Sequence, residues 1–337
     1  MTKEQRITAF VKLGQWMREI DSETEVFITN LYHKNPWYTT DNVSKQFSAI
    51  AANLDSQKLS DWLTPYPDFK TDKSVGLVLA GNLPLVGFHD ILCTLVLGFT
   101  AKIKTSSDDA GLTAYVLQKL IGFNPELGHR IQLLDRLDSF DLVIATGSNN
   151  SARYFEYYFG RKPHIIRRNR NAIAILHGNE TSEELAALGS DIFDYFGLGC
   201  RSVSKIYVPK GDNISTLFQA MESYSAIRDH FKYSNNYDYN KSIYLINRDK
   251  HYDNGFLLLK EDEALASPLA VLHYEEYEDI QTVAAKINAV KEAIQCAISI
   301  ADVSLEIPLF KPGQSQCPGL DDYADHVNTL EFLWENR

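Results

Sequence analysis

A chain of 337 residues, 45% of them hydrophobic, is long enough to form one large or two ordinary domains around a real core. Its formal net charge of −11 repels phosphate backbones and anionic lipid, and no basic run or basic helix offsets it, which argues against nucleic acid or a membrane surface as partner. The N-terminus, MTKEQRITAFVKLGQWMREI, lacks the apolar core of a signal peptide, and no apolar run reaches the roughly eighteen residues of a membrane span, so a soluble cytoplasmic protein without stable membrane insertion is expected.

The first predicted element is a helix over 4–20, with Ile7, Phe10, Val11, Leu13, Met17 and Ile20 on roughly one face. Residues 21–72 are mixed and polar, broken by Pro36, Pro65 and Pro67. A regular alternation then begins. VGLVLAG (75–81) reads as a buried strand, PLVGFHDILCTLVLGF (84–99) as a helix opened by a proline, and AKIKTS (101–106) as a second strand. DDAGLTAYVLQKLIGF (108–123) is a helix with aspartate at its start, and DLVIATG (141–147) is a strand leading into the helix NSARYFEYYFG. Strand–helix–strand repetition at this spacing predicts a parallel sheet with right-handed crossovers.

Past residue 170 the pattern is less regular. AIAILHG is a strand, TSEELAALGSDIFDYF a helix with a Thr181/Glu184 capping box, and SKIYVPKG a strand followed by a helix near 214–231. GFLLLKE and PLAVLHYEEY read as strands, and DIQTVAAKINAVKEAIQCAISIA as one long helix. With no internal repeat or low-complexity tract, the pattern predicts two α/β lobes dividing near residue 171.

Cys93, Cys200, Cys296 and Cys317 lie far apart, with no CxxC and no paired Cys/His spacing, so neither a metal site nor a disulfide framework is expected. Cys93, within GFHDILCTLVLGF, and Cys296, within KEAIQCAISI, read as buried packing residues. Cys200, in FDYFGLGCRSVSKIYVP, stands in a different setting. Gly197 and Gly199 let the chain turn tightly and keep bulk away from the sulfur, while Arg201 and nearby N–H groups favour a thiolate. A turn cysteine of no consequence is the equal alternative on spacing alone.

The strand ends supply further polar groups. Neither GxGxxG nor GxxxxGK is present. Asn82 closes the first strand, where an amide can donate to a developing oxyanion, although capping the turn before Pro84 explains it more simply. Lys104 ends the second strand, and Gly147 and Ser148 precede a helix whose N–H groups and dipole can accept a phosphate.

Taken in order, AGNLPL, a strand ending in lysine, ATGS and GLGCRSVSKIYVP resemble the aldehyde dehydrogenase superfamily over roughly residues 75–337. The nearest branch is that of the acyl-CoA reductases related to the fatty acyl-CoA reductase subunit of bacterial bioluminescence. The resemblance implies an aldehyde-dehydrogenase-like α/β fold, with a Rossmann-type cofactor lobe and an α/β catalytic lobe. The corresponding expected divisions are 1–171, 172–305, and a C-terminal segment 306–337 that returns to the lobe or dimer interface. It further implies Cys200 as nucleophile, Asn82 as oxyanion donor, Lys104 at the adenosine ribose, and Gly147 and Ser148 at the cofactor diphosphate. Glu263, in DEALASPLAV, is the nearest match to a glutamate that orients the nicotinamide ribose, though its spacing to Pro268 is one residue too long. A homo-oligomer, dimer or higher, goes with the family.

Two departures from the superfamily pattern bear on the reaction. Hydrolytic relatives activate water with a glutamate in a Glu-Leu-Gly-Gly turn, whereas HIIRRNRNAIAIL here holds no carboxylate. A thioester on Cys200 then resists hydrolysis but exchanges with coenzyme A. In that stretch Arg167, Arg168 and Arg170 read as solvated surface groups, with coenzyme A phosphates as the alternative. Three residues after Lys104, Ser107 replaces the glutamate that NAD-preferring relatives use to hold the ribose 2′-hydroxyl. A serine does not repel a 2′-phosphate, so NADPH is expected, with NADH as the alternative through the adjacent Asp108. The expected reaction is NAD(P)H-dependent reduction of an acyl-CoA thioester, fatty acyl in the nearest branch, to the aldehyde through an acyl-cysteine intermediate. The rivals are reduction of an acyl phosphate or acyl-carrier thioester, and a non-catalytic dinucleotide-binding module.

Overall fold

The computed structural model describes residues 1–211 and 214–337. The chain forms two compact units, Met1–Asn169 with Pro318–Arg337, and Arg170–Cys317.

The first unit opens with α1 (Lys3–Arg18), started by a capping box between Thr2 and Gln5 and burying Phe10 and Leu13 completely. The segment read as mixed and polar folds into three further helices, α2 (Ser22–Lys34), α3 (Thr40–Asn53) and α4 (Ser56–Trp62). Asp21, Thr39 and Asp55 cap them in turn, each side chain accepting from a first-turn N–H. The prolines fall between or after these helices, so they bound the elements and do not prevent them. Ile28, Leu31, Val43, Phe47, Leu54 and Leu59 turn inward to one core shared with the sheet.

That sheet contains β1 (Ser74–Val78), β2 (Thr100–Lys104), β3 (Ile131–Leu133), β4 (Leu142–Thr146) and β5 (His164–Arg167) in the order β3-β2-β1-β4-β5. Every neighbouring pair is parallel. The crossovers run through α5 (Phe88–Val96), α6 (Leu112–Phe123) and α7 (Asn149–Phe159). Helix α5 begins at Phe88 and not at Pro84, because Leu85 takes a left-handed backbone (φ 52°) within an intervening turn.

The second unit runs β6 (Asn171–Ile175), α8 (Ser182–Phe193), β7 (Val203–Pro209), α9 (Ile214–Met221), α10 (Phe231–Asn247), β8 (Tyr252–Asp253), β9 (Leu258–Glu261), β10 (Val271–Tyr277), α11 (Ile280–Ala289), β11 (Ile294–Ile298) and β12 (Leu309–Phe310). Its strands form one sheet in the order β12-β11-β6-β7-β10-β9-β8, parallel except for the β8–β9 pair. The long helix expected across DIQTVAAKINAVKEAIQCAISIA is instead α11 followed by a strand. Val290 leaves the helical region (φ −122°), and the next run, IQCAI, is buried at all five positions, as a central parallel strand requires. Cys296 is therefore buried on a strand, whereas the equally buried Cys93 lies on α5. The helix expected near 214–231 is α9 with a 3-10 turn over Glu222–Asp229. The chain then returns to the first unit and ends in α12 (Thr329–Glu335). No helix among the described residues is long and apolar enough to cross a membrane.

Candidate active site

In the first unit the strand order reverses between β1 and β4. Loops leaving the carboxyl ends of two such strands flank the crevice in which open parallel sheets take ligands. The loop after β1 carries Asn82, which is exposed. Its backbone is held from outside the loop: the fully buried Tyr38 hydroxyl lies 3.0 Å from the Gly81 carbonyl and 2.9 Å from the Leu83 carbonyl. A Cβ on Gly81 would fall 2.7 Å from the backbone nitrogen of Asp109, so only glycine lets this loop close against the one after β2.

The loop after β2 begins at the half-buried Lys104, whose carbonyl accepts from Leu79 N at 3.0 Å. Ser107 is exposed and starts a one-turn 3-10 helix, Ser107–Asp109, which Ser106 caps by accepting from Asp108 N. The Asp108 carbonyl accepts from Asn35 Nδ2 at 2.8 Å. After β4, Gly147 is packed so closely that a Cβ would lie 2.9 Å from both Phe155 and Ser151. Ser148 caps α7, its hydroxyl accepting from Ser151 N at 3.3 Å, which leaves the backbone of the first turn as the surface this helix offers an anion. Asn82, Lys104, Ser107, Gly147 and Ser148 thus all stand at the carboxyl ends of β1, β2 and β4.

Arg167 is neither solvated nor turned outward. It is buried in an ion pair with Asp90 of α5, and its Nη2 donates to Thr329 Oγ1 at 2.9 Å. Arg168 is exposed and pairs with Glu156. Arg170 reaches Glu292 at 3.5 Å and the Ile294 carbonyl at 3.4 Å. All three arginines pair with carboxylates, but only Arg167 does so within the core, so the stretch does not form a cluster of unpaired surface cations.

In the second unit, the chain leaving α8 takes three left-handed residues in succession, Tyr195 (φ 54°), Phe196 (φ 59°) and Gly197 (φ 76°). For a non-glycine residue this conformation costs about 1–2 kcal/mol, and it persists only where packing enforces it. Tyr195 is buried, and the Phe196 ring lies 4.2 Å from that of His230, the residue capping α10. Of the two glycines flanking Leu198, only Gly197 uses a positive φ. The turn then closes on itself: Ser202 N donates to the Gly199 carbonyl at 3.0 Å, and the Ser202 hydroxyl accepts from Gly199 N at 3.2 Å and from Gln316 Nε2 at 3.3 Å. Ser202 is buried, whereas the Cys200 thiol is exposed and in no disulfide. Arg201 lies over the Phe310 ring, 5.5 Å from its centre.

Glu263 is exposed, in the connection from β9 to β10. Its carbonyl accepts from the fully buried Lys205 ammonium at 2.8 Å, and the Leu265 carbonyl accepts from Ser204 Oγ at 2.7 Å. Between them His273 Nδ1 meets the Ala264 carbonyl at 3.0 Å, and burial holds the His273 imidazole below its ordinary pKa, so the ring is neutral and donates. Glu263 therefore lies over the start of β7, the strand into which the Cys200 turn leads.

The nearest carboxylate after the HIIRRNRNAIAIL stretch is Glu180, whose oxygens accept from His177 N at 2.6 Å and Gly178 N at 3.0 Å. Parallel β6 and β7 pair Ala172 with Val203 and Ile175 with Tyr207. Cys200 thus leaves the edge where β6 begins, and Glu180 lies beyond the opposite edge. Among the described residues, no group of three or more His, Cys, Asp or Glu is arranged to hold a metal ion. Tyr38, Asn35, Ser202 and Gln316 were not singled out from sequence. Tyr38, Gln316 and the Asn35 side-chain amide act through contacts with residues distant in sequence, which no local pattern announces.

The profile of a family described as acyl-CoA reductase (LuxC) matches residues 49–227, just over half of the chain. No curated protein sequence matches it. Among solved structures, the chain resembles aldehyde dehydrogenase 21 from Physcomitrella patens, solved with the reaction product succinate, at 12% identity and a TM-score of 0.68, covering 100% of this chain and 84% of that one. An indole-3-acetaldehyde dehydrogenase complexed with NAD+ gives 12% identity and 0.73, covering 100% and 83%. A NAD-dependent benzaldehyde dehydrogenase from Corynebacterium glutamicum gives 11% and 0.67, covering 92% and 81%. At these identities the likeness is one of fold, and the fold is the α/β fold of the aldehyde dehydrogenases.

Proposed function

The chain belongs to the acyl-CoA reductase (LuxC) family, and from that premise we propose that it reduces a fatty acyl-CoA thioester to the aldehyde with NADPH, the acyl group passing through Cys200. The observation that carries this reading is the Cys200 turn. An exposed thiol is presented by a backbone held in a left-handed conformation and pinned by a buried serine, and Glu180, the first carboxylate after HIIRRNRNAIAIL, lies beyond the opposite edge of the sheet.

The Cys200 thiolate attacks the thioester carbonyl, the oxyanion is held by the Asn82 amide and a backbone N–H of the cysteine turn, and the coenzyme A thiolate leaves. The product on the protein is an acyl-Cys200 thioester. The water-activating glutamate of hydrolytic relatives has no counterpart in HIIRRNRNAIAIL, so water is a poor competitor for it. NADPH, when bound, would supply the hydride to the carbonyl carbon of this thioester, and the aldehyde is freed as the carbon–sulfur bond breaks and Cys200 leaves as thiolate.

The first unit suits a dinucleotide: the winding reversal, the close-packed Gly81 and Gly147 and the capped start of α7 are together at one sheet edge. Lys104 takes the adenosine ribose, the first turn of α7 behind Gly147 and Ser148 takes the diphosphate, Ser107 leaves room for a 2′-phosphate, and Glu263 takes the nicotinamide ribose. The same reading includes a homo-oligomer working in the cytoplasm.

Purified protein is assayed for NADPH oxidation and aldehyde release with acyl-CoA esters of graded chain length, an acyl phosphate and an acyl-carrier thioester, beside Cys200→Ala. Aldehyde from acyl-CoA with the native protein alone is expected, with cofactor binding retained in the variant. Equal turnover by both proteins would remove Cys200 as nucleophile. Turnover only with another donor would replace coenzyme A, and cofactor binding without turnover on any donor would leave a binding module.

A further inference from the structure

We infer that Tyr38, in the N-terminal helical segment and outside the residues that match the family profile, is a positioning residue that aims the Asn82 amide by fixing the carbonyls on either side of it. The inference rests on the assignment of Asn82 to the oxyanion. Its basis is geometric. One phenolic hydroxyl, in a side chain with no exposed surface, lies 3.0 Å from the Gly81 carbonyl and 2.9 Å from the Leu83 carbonyl. The first carbonyl belongs to the peptide plane that enters Asn82, and the second to the plane that leaves Leu83, the residue after it. A single shared proton therefore restrains both sides of the residue whose side chain must point at the substrate.

The loop cannot easily supply this restraint itself. Pro84 follows immediately and offers no N–H, and Leu85 is left-handed at φ 52°. The phenol is also a dependable donor. Burial, with Asp109 and Asp108 nearby, holds it far above its ordinary pKa, so it keeps its proton at any working pH.

Tyr38 is itself anchored. Its N–H donates to the Asn35 carbonyl at 2.9 Å, and Asn35 Oδ1 accepts from Trp37 N at 3.1 Å. The other end of the Asn35 amide donates to the Asp108 carbonyl at 2.8 Å. The four residues Asn35–Tyr38 thus bridge the loops after β1 and β2, the two that Gly81 already interlocks. A tyrosine present only to fill the core would need its ring and not its hydroxyl.

The experiment measures the burst of coenzyme A released by the full-length enzyme from acyl-CoA without NADPH, for native protein, Tyr38→Phe, Asn82→Ala and the double variant. Separately, NADPH affinity and thermal unfolding are recorded for each. Tyr38→Phe is expected to slow acylation about tenfold, the scale of one hydrogen bond, with NADPH affinity unchanged. Asn82→Ala should slow it about 10²–10³-fold. Because Tyr38 acts through Asn82, adding Tyr38→Phe to Asn82→Ala should cost nothing more. Native-rate acylation in Tyr38→Phe, or an undiminished tenfold loss in the double variant, would overturn the inference. Native-rate acylation in Asn82→Ala would overturn the oxyanion assignment and the inference with it, and this arm leaves position 38 untouched. If Tyr38→Phe does not fold, p-aminophenylalanine at position 38, a weaker donor of the same shape, should acylate at an intermediate rate; the native rate would again refute the role.

Discussion

Replacing Arg167 by methionine separates a structural cation from a ligand-binding one. The Arg167 and Asp90 side chains are 7% and 3% exposed, so the substitution leaves a carboxylate in the core without its cation. Burial works against the charge of Arg167, but the Asp90 carboxylate outweighs it and holds the guanidinium above its ordinary pKa. Breaking a buried pair from one side costs about 3–5 kcal/mol. The lost bond to Thr329 Oγ1, which ties β5 to α12, adds about 1 kcal/mol. In a unit of this size each kcal/mol moves the midpoint by about 2–4 °C, so Arg167→Met should lower Tm by about 8–24 °C. The pair is also imperfect, since Asp90 Oδ1 and Arg167 Nε are buried without a hydrogen-bond partner. Arg167→Met with Asp90→Leu should therefore regain most of the loss, because an apolar replacement of both partners removes the stranded charge. Calorimetry on the three proteins, with KM for acyl-CoA measured well below the lowest midpoint, decides the matter. A single variant within about 1 kcal/mol of native, or a double variant less stable than the single, would refute the account. A raised KM for acyl-CoA with native stability would instead make Arg167 a coenzyme A contact.

Ser202→Ala removes the acceptor that binds both Gly199 N and Gln316 Nε2, and should slow acylation about fivefold to twentyfold with NADPH affinity unchanged; an unaltered coenzyme A burst would show that the turn holds itself. Ser107→Glu places a carboxylate where NADPH would carry its 2′-phosphate, and should raise KM for NADPH at least about tenfold while sparing NADH; equal changes for both cofactors would move the ribose elsewhere. Glu275 is partly buried, which opposes its charge, but Lys205 at 2.8 Å and Lys286 at 2.7 Å hold its carboxyl below the ordinary 4.5. Its contribution is present above that value and is lost as pH falls through the lower folded-state value. The stability gap between native and Glu275→Gln, from urea unfolding, should accordingly be widest near neutrality and shrink below about pH 4.5; a gap independent of pH would show that the ion pairs contribute nothing.

The parallel sheets were legible wherever one residue type dominated a short run. VGLVLAG and DLVIATG contain strands because continuous apolar residues between turn signals suit a sheet covered on both faces. Helices α2 to α4 were missed although Asp21, Thr39 and Asp55 stand in the sequence as caps, because each helix buries few residues and its exposed face is as polar as a loop. The error at Cys296 has the opposite cause. KEAIQCAISI is apolar enough for either state, and its strand character comes from pairing on both sides with β6 and β12, a fact of tertiary structure. Arg167 misled for the same reason. It lies among other arginines in sequence, and its partners Asp90 and Thr329 are 77 and 162 residues away.

Within the candidate site, the groups proposed to do chemistry and the groups that aim them differ in what a sequence can reveal. Cys200 and Asn82 stand on turns beside glycine or proline, and exposure on a turn is a local property. Tyr38 reaches the Asn82 loop from 43 and 45 residues away, and Gln316 reaches the Cys200 turn from 114. Neither needs an unusual residue type, since a buried phenol and an amide are ordinary core and loop groups. The left-handed Tyr195 and Phe196 carry the point further. Nothing in DYFG requires two strained residues, and about 1–2 kcal/mol apiece must be offset by packing such as that of Phe196 on His230. On the proposed reading this strained backbone presents the Cys200 sulfur, so a substitution that relieves it without touching Cys200 should raise Tm and slow the coenzyme A burst together. A raised Tm with an unchanged burst would refute that link.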